Sequence, residues 1–145
     1  MVNQGRWQIW VERKLRQRGV FMPRLGGIYV FMYEPDAAKD PDFQPQDMLP
    51  MVILTRPKGK GMMGINIMGL ETRYRRAKVI DAIVDINQTQ SVSDKMKKLL
   101  SFERMVQSSP LTRPAYKYWS KNRIKGKIVE VTPSELLDLL DKRVL

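Results

Sequence analysis

A chain of 145 residues with 43% hydrophobic content supports one ordinary core, is too short for a second independent one, and is too apolar to be largely disordered. The absence of histidine and cysteine excludes an imidazole general base, a thiol nucleophile, disulfides and zinc sites with N or S ligands, leaving carboxylate or lysine chemistry and oxygen-ligated cations. With 26 Lys and Arg against 15 Asp and Glu, the formal charge is +11, which favours an anionic partner: nucleic acid, an acidic protein surface or anionic lipid.

No apolar run approaches the roughly 20 residues of a membrane-spanning helix. The opening, with Trp7, Glu12 and Arg13, lacks the apolar centre of a secretory signal, so a chain that begins as synthesised and makes no membrane contact is expected. Trp7, Trp10, Val11 and Leu15 fall at i, i+3, i+4 and i+8, which predicts an amphipathic helix with arginines on its other face and Gly19 at its end. That narrow stripe fits equally a seat on its own domain and a seat in a neighbour's groove.

Residues 28–33, β-branched and aromatic on both faces, predict a strand buried on two sides or covered at an interface. Residues 34–47 carry three prolines and scattered acids and read as a long excursion over the surface. Residues 50–55 and 62–67 predict an antiparallel pair, joined through Gly59 and Gly61. A helix is expected over 72–86, with Ala77, Ile80, Ile83 and Val84 inward and Arg75, Arg76 and Asp81 toward water. Another starts at Ser91, with Asp94 at capping-box spacing, and points Met96, Leu99 and Leu100 inward. Residues 127–131 read as a late strand, and Thr132-Pro-Ser-Glu135 supplies N-cap, N1 proline and N3 glutamate for a leucine-rich final helix.

The order implies an α+β fold: a small, strongly curved, barrel-like antiparallel sheet with flanking helices and an N-terminal amphipathic helix. Residues 1–22 form the basic N-terminal helix and residues 23–145 a single α+β domain.

Chemistry is scarce. Asp36, Asp40, Asp42 and Asp47 share one loop, but Pro41 and Pro45 interrupt them and the spacing does not follow an EF-hand, so a solvated loop is expected rather than a metal site. Lys58-Gly-Lys-Gly61 lacks the spacing and Lys-Ser/Thr pair of a P-loop and reads as a hairpin turn whose lysines can touch phosphate. No cofactor, metal or catalytic residue is expected.

The basic residues form four patches: the first helix, residues 73–78, residues 95–98 and residues 113–127. In the last, Arg113, Lys117, Lys121, Arg123, Lys125 and Lys127 interleave with Tyr116, Tyr118 and Trp119, as in a nucleic-acid surface that combines phosphate contacts with stacking. The plainer reading puts the aromatics, at helical spacing, in the core and the cations in water.

A Trp- and Arg-rich opening helix is followed by Gly27-Ile-Tyr-Val-Phe-Met-Tyr33, Asp47-Met-Leu-Pro-Met51, Gly64-Ile-Asn66, an Arg-Ala-Lys-x-x-Asp-Ala helix at residues 76–82, and Arg113-Pro-Ala-Tyr-Lys-Tyr-Trp119. In these motifs and their order the chain resembles, over most of its length, a group of small, poorly characterised proteins encoded by tailed bacteriophages. It departs from that pattern at Pro45-Gln46, where the group has a tyrosine pair, and at Met68-Gly69, where it has His-Tyr, so chemistry involving that histidine cannot operate here.

The resemblance implies residence in a virion assembled in the host cytoplasm, and a non-enzymatic structural role at the tail, baseplate or neck. The partners would be other virion proteins, met in repeated copies within a symmetric assembly. Trp7, Trp10, Arg13 and Asp47 are the expected contact residues, since aromatics and arginine anchor interfaces. The alternative is a basic DNA-binding or DNA-end-associated phage protein using the 113–127 cations.

Overall fold

A computed structural model describes residues 4–36 and 41–145. In chain order it contains α1 (Gln4–Lys14), β1 (Ile28–Tyr33), β2 (Met51–Lys58), β3 (Gly61–Asn66), α2 (Arg73–Gln88), α3 (Val92–Ser108), β4 (Tyr116–Ser120), β5 (Ile124–Val131) and α4 (Pro133–Asp141). The α+β class is as expected. The strands form one antiparallel sheet in the order β4-β3-β2-β1-β5, whose outer members are β4 and β5; it does not close into a barrel.

The two-residue period of β1 divides its side chains between two cores. Ile28 and Val30 join Met51, Ile53 and Ile65 beneath the helices, where Val79, Ile80, Ile83, Leu99, Phe102, Leu136 and Leu139 complete the larger cluster. Tyr29, Phe31 and Tyr33 face the other way, with Val52, Leu54, Met62 and Trp119. β4 lies three strand spacings from β1, about 14 Å in a flat sheet. Even so, the Trp119 ring is 5.0 Å from that of Tyr33 and 5.8 Å from that of Phe31, and the Ser120 N–H donates to Tyr33 Oη at 3.1 Å. The sheet therefore curls over this aromatic cluster, and Phe43 caps it, stacked on Tyr33 at 5.2 Å.

Local chemistry explains the boundaries. Thr132 caps α4 with a full capping box to Glu135 behind Pro133, and Thr72 and Ser91 accept the Arg75 and Asp94 N–H groups at the starts of α2 and α3. β2 and β3 run further than expected, down to a tight turn at Gly59, whose φ is +55°. Pro57 sits within β2 because, beyond Leu54, that strand has lost its β1 neighbour and needs no donor on that side.

Several expectations are corrected. α1 ends at Lys14, well short of residue 22: the Arg16 and Gln17 N–H groups turn back on Arg13 and Lys14, and Val20 then bonds Ile128 at the β5 edge. It is also no separate unit, since Trp7 and Val11 are core residues. Residues 116–120 are a strand, so the aromatic spacing is not helical: Trp119 enters the concave core, while Tyr116 and Tyr118 lie half-buried on the opposite face. Arg76 is not in water. It sits at i−4 and i−7 from Ile80 and Ile83, on the inward stripe of α2, and is 3% exposed. Conversely Met96 and Leu100 are exposed, because the α3 face that meets the core is Leu99, Phe102, Glu103 and Val106.

Candidate functional site

The expected contact residues of α1 separate by burial. Trp7 is 2% exposed, and its indole N–H donates to the Leu49 carbonyl at 3.1 Å. Trp10 stacks on it at 5.4 Å and is half-buried; Arg13 is exposed. Lys14, on the same helix, is buried against Glu135 at 2.7 Å and ties α1 to α4. Burial alone would raise the Glu135 carboxyl, but bonds from Lys14 and from the Thr132 backbone and hydroxyl outweigh it and hold the group below its ordinary value. The tryptophan stripe therefore finds its groove within its own domain, and of the α1 residues expected at an interface only Arg13 and part of Trp10 face outward.

Asp47 is likewise internal, at 1% exposure. Its Oδ2 accepts from Lys117 Nζ at 2.5 Å and from the Gln44 N–H at 2.8 Å, while Oδ1 accepts from Asn66 Nδ2 at 2.8 Å. Asn66 Oδ1 in turn accepts from the Met51 and Met68 N–H groups. Lys117 also donates to the Asp42 carbonyl at 2.8 Å and lies 4.8 Å over the Phe43 ring. Three of the motifs noted in the sequence, carrying Asp47, Asn66 and Lys117, thus meet at one buried polar node. Every carboxylate oxygen there has a partner, which locks residues 41–47 onto the ends of β3 and β4.

A cleft of roughly 730 Å³ lies beside the node, with Asp42, Glu71, Arg113, Tyr116 and Lys117 among its lining residues. Tyr116 Oη donates to Glu103 at 2.6 Å; burial, followed by that neighbouring carboxylate, raises the phenol above its ordinary value, so it stays protonated. Arg113 is held through Nε by the Gln107 carbonyl at 3.0 Å.

Among the described residues, no group of three or more carboxylates is placed to hold a metal. Of the loop acids, Asp36 pairs with Arg123 at 2.9 Å and Asp47 with Lys117, while Asp40 lies outside the described residues. No described helix is long and apolar enough to cross a membrane.

The 113–127 cations do not assemble into one surface. Lys125 pairs with Glu34 at 3.3 Å, Lys127 donates to the Gln17 carbonyl at 2.7 Å, and Arg113 and Lys121 stand at opposite ends of β4. Lys121 instead joins the hairpin turn: its N–H donates to the Lys60 carbonyl, which groups Lys58, Lys60 and Lys121 at one tip, beside the half-buried Tyr118.

Two features escaped the sequence reading. One is the segment after α1, where Phe21 is 99% and Met22 80% exposed. It is rooted by the Val20 N–H on Ile128, by the Arg24 N–H on Tyr29 Oη at 2.7 Å and by the Arg24–Glu130 ion pair at 2.9 Å. Arg18 and Arg24 flank it, and Phe-Met between arginines was its only sequence signal. The other is the buried Arg76, whose Nε and Nη1 have no hydrogen-bond partner and whose basicity is lowered by desolvation. No protein family, curated protein or solved structure matches the chain.

Proposed function

We propose that the chain is a non-enzymatic structural component of a tailed-phage virion, sited at the tail, baseplate or neck and acting in repeated copies through contacts with other virion proteins. The setting comes from the phage-like order of motifs. The contact role rests on Phe21 and Met22: two adjacent large apolar side chains held in water on a segment bonded down at both ends. An aromatic of this kind loses little entropy on docking and is the usual anchor of an interface. Trp10 and Arg13 add a second, smaller outward surface, and the curled sheet beneath serves as scaffold.

The test is mass spectrometry of purified, DNA-emptied particles of the phage that encodes the chain, with wild type and the Phe21→Ser/Met22→Ser variant compared. Retention of the wild type at a fixed copy number is expected, with loss of the variant from particles although its melting transition is unchanged. Absence of the wild type from the particle overturns the reading.

A second reading, a DNA-associated role, is favoured by the tip of Lys58, Lys60 and Lys121 beside Tyr118, three cations for a phosphate backbone next to one stacking surface. It requires duplex or single-stranded DNA binding that falls steeply with salt and weakens in Lys60→Glu/Lys121→Glu. Undetectable binding at low salt ends it.

A further inference from the structure

α2 and α3 run antiparallel across a short link at residues 89–91 and leave a groove between their outer flanks. One stretch, of roughly 700 Å³, has Val79 and the half-buried Ala82 at its base and the exposed side chains of Tyr74, Met105 and Leu111 along its sides. A second stretch, of about 240 Å³, also lined by Ala82 and Met105, extends it to Asp85 and Lys98. From Thr72 to Asp85 the groove follows about 20 Å of helix at 1.5 Å per residue, the length of three to four turns of a docked helix.

Its charge is uneven. Arg75 and Lys78 line the half nearest the start of α2, with Lys78 Nζ 4.7 Å over the Tyr74 ring. The first turn of α2 carries no acid, so the positive end of the helix dipole adds to them. Asp81 is the one carboxylate among that half's lining residues, and at the far end Asp85 and Lys98 neutralise each other at 3.0 Å.

We propose that this groove docks an acidic amphipathic helix of a partner protein, with apolar side chains entering between α2 and α3 and carboxylates meeting Arg75 and Lys78. The occupant is a different protein rather than a second copy. Among the described helices the acidic, leucine-rich one is α4; its Leu136 and Leu139 are already buried in its own core, and the exposed Leu137 with the half-buried Leu140 make too short an apolar stripe to fill three to four turns of groove. The inference rests on the reading of the chain as a protein-binding module, and not on its place in a particle.

Selection of a random 14-residue mRNA-displayed peptide library on the full chain tests it, followed by titration of the enriched peptides. Enriched sequences are expected to carry carboxylates and apolar residues at helical spacing. Their affinity should fall about tenfold or more in Met105→Glu, which removes an apolar wall. In Lys78→Glu it should fall about threefold or more, with the loss shrinking as salt rises. Both substitutions are at exposed positions, and unchanged melting transitions establish that the variants fold. Failure to enrich, enrichment of neutral or basic peptides, or affinities indifferent to Met105→Glu overturns the proposal. So does a wild-type dimer in sedimentation that Met105→Glu dissolves, which makes a second copy the occupant. Absence from particles with a groove that still selects acidic helices removes the virion role and leaves the groove standing; retention in particles with no such selection does the reverse.

Discussion

Replacing Lys117 with methionine keeps the aliphatic stem and removes the one cation facing a carboxylate that is almost wholly out of water. Asp47 then retains the Gln44 N–H and Asn66 Nδ2 but no counter-charge. Removing one member of a buried pair costs about 3–5 kcal/mol. The two surviving donors and the adjacent cleft, which admits water, place this case near the lower end, at about 3 kcal/mol. Against a total of about 5–15 kcal/mol that is a large share, equivalent to roughly 10 °C in Tm for a domain of this size. Asp47→Asn strands the amine instead, which still has the Asp42 carbonyl and can turn toward the cleft, so about 1–2 kcal/mol is expected. Urea unfolding followed by tryptophan fluorescence gives all four corners of the cycle, and the double variant should cost about 1.5 kcal/mol less than the sum of the singles. A loss below about 1 kcal/mol in Lys117→Met, or strict additivity, would refute the view of this node as the lock of the 41–47 loop.

Trp7→Ala should destabilise the isolated chain by about 3–5 kcal/mol by opening a core cavity and orphaning the Leu49 carbonyl, and an unchanged urea midpoint would return Trp7 to an interface. Arg76→Met should raise stability by about 1 kcal/mol or more, because a buried guanidinium with two unpartnered nitrogens gives way to an apolar chain of similar length; a lower midpoint would show that its charge is compensated. Glu135→Gln tests a pH dependence. The folded carboxyl titrates below its ordinary 4.5, so its contribution is full above that value and is lost as pH falls through the folded value. With the group a third exposed, the variant should cost no more than about 1 kcal/mol at pH 7 and nothing near pH 2; a gap that does not close on acidification contradicts the assignment.

The elements most legible in the sequence are those whose signal is local. Residues 28–33 could hardly be anything but a strand, and Thr132, Pro133 and Glu135 make the caps that they spell. β4 was misread because Tyr116, Tyr118 and Trp119, at i, i+2 and i+3, suit either period, and the choice is made by β3, whose Gly64 carbonyl receives the Trp119 indole N–H at 3.2 Å. The destination of the α1 tryptophans was open for a similar reason: an apolar stripe says that a groove exists, not whose it is. The polar node was invisible as a unit. Asp47, Asn66 and Lys117 come from a loop, the end of β3 and the start of β4, and although each stands out in the sequence, nothing there ties them to one another. The exposed flank of α3 went unseen because an apolar period marks a helix without saying how wide a stripe its core can cover.

The pairing of β1 with β5, Ile28 opposite Val131, joins stretches of chain about a hundred residues apart. During synthesis β1 can find β2 early, but its other flank waits as an open edge until nearly the whole domain has been made, and α1 waits as long for Glu135 on α4. So non-local a closure slows folding relative to a helical bundle of the same size. In that interval the aromatic side of β1, which carries Tyr29, Phe31 and Tyr33, has only part of its cover. Nascent chains are thus most prone to wrong pairing with one another until β5 and α4 have been made, and a cell that makes many copies at once would feel this as a demand on its chaperones.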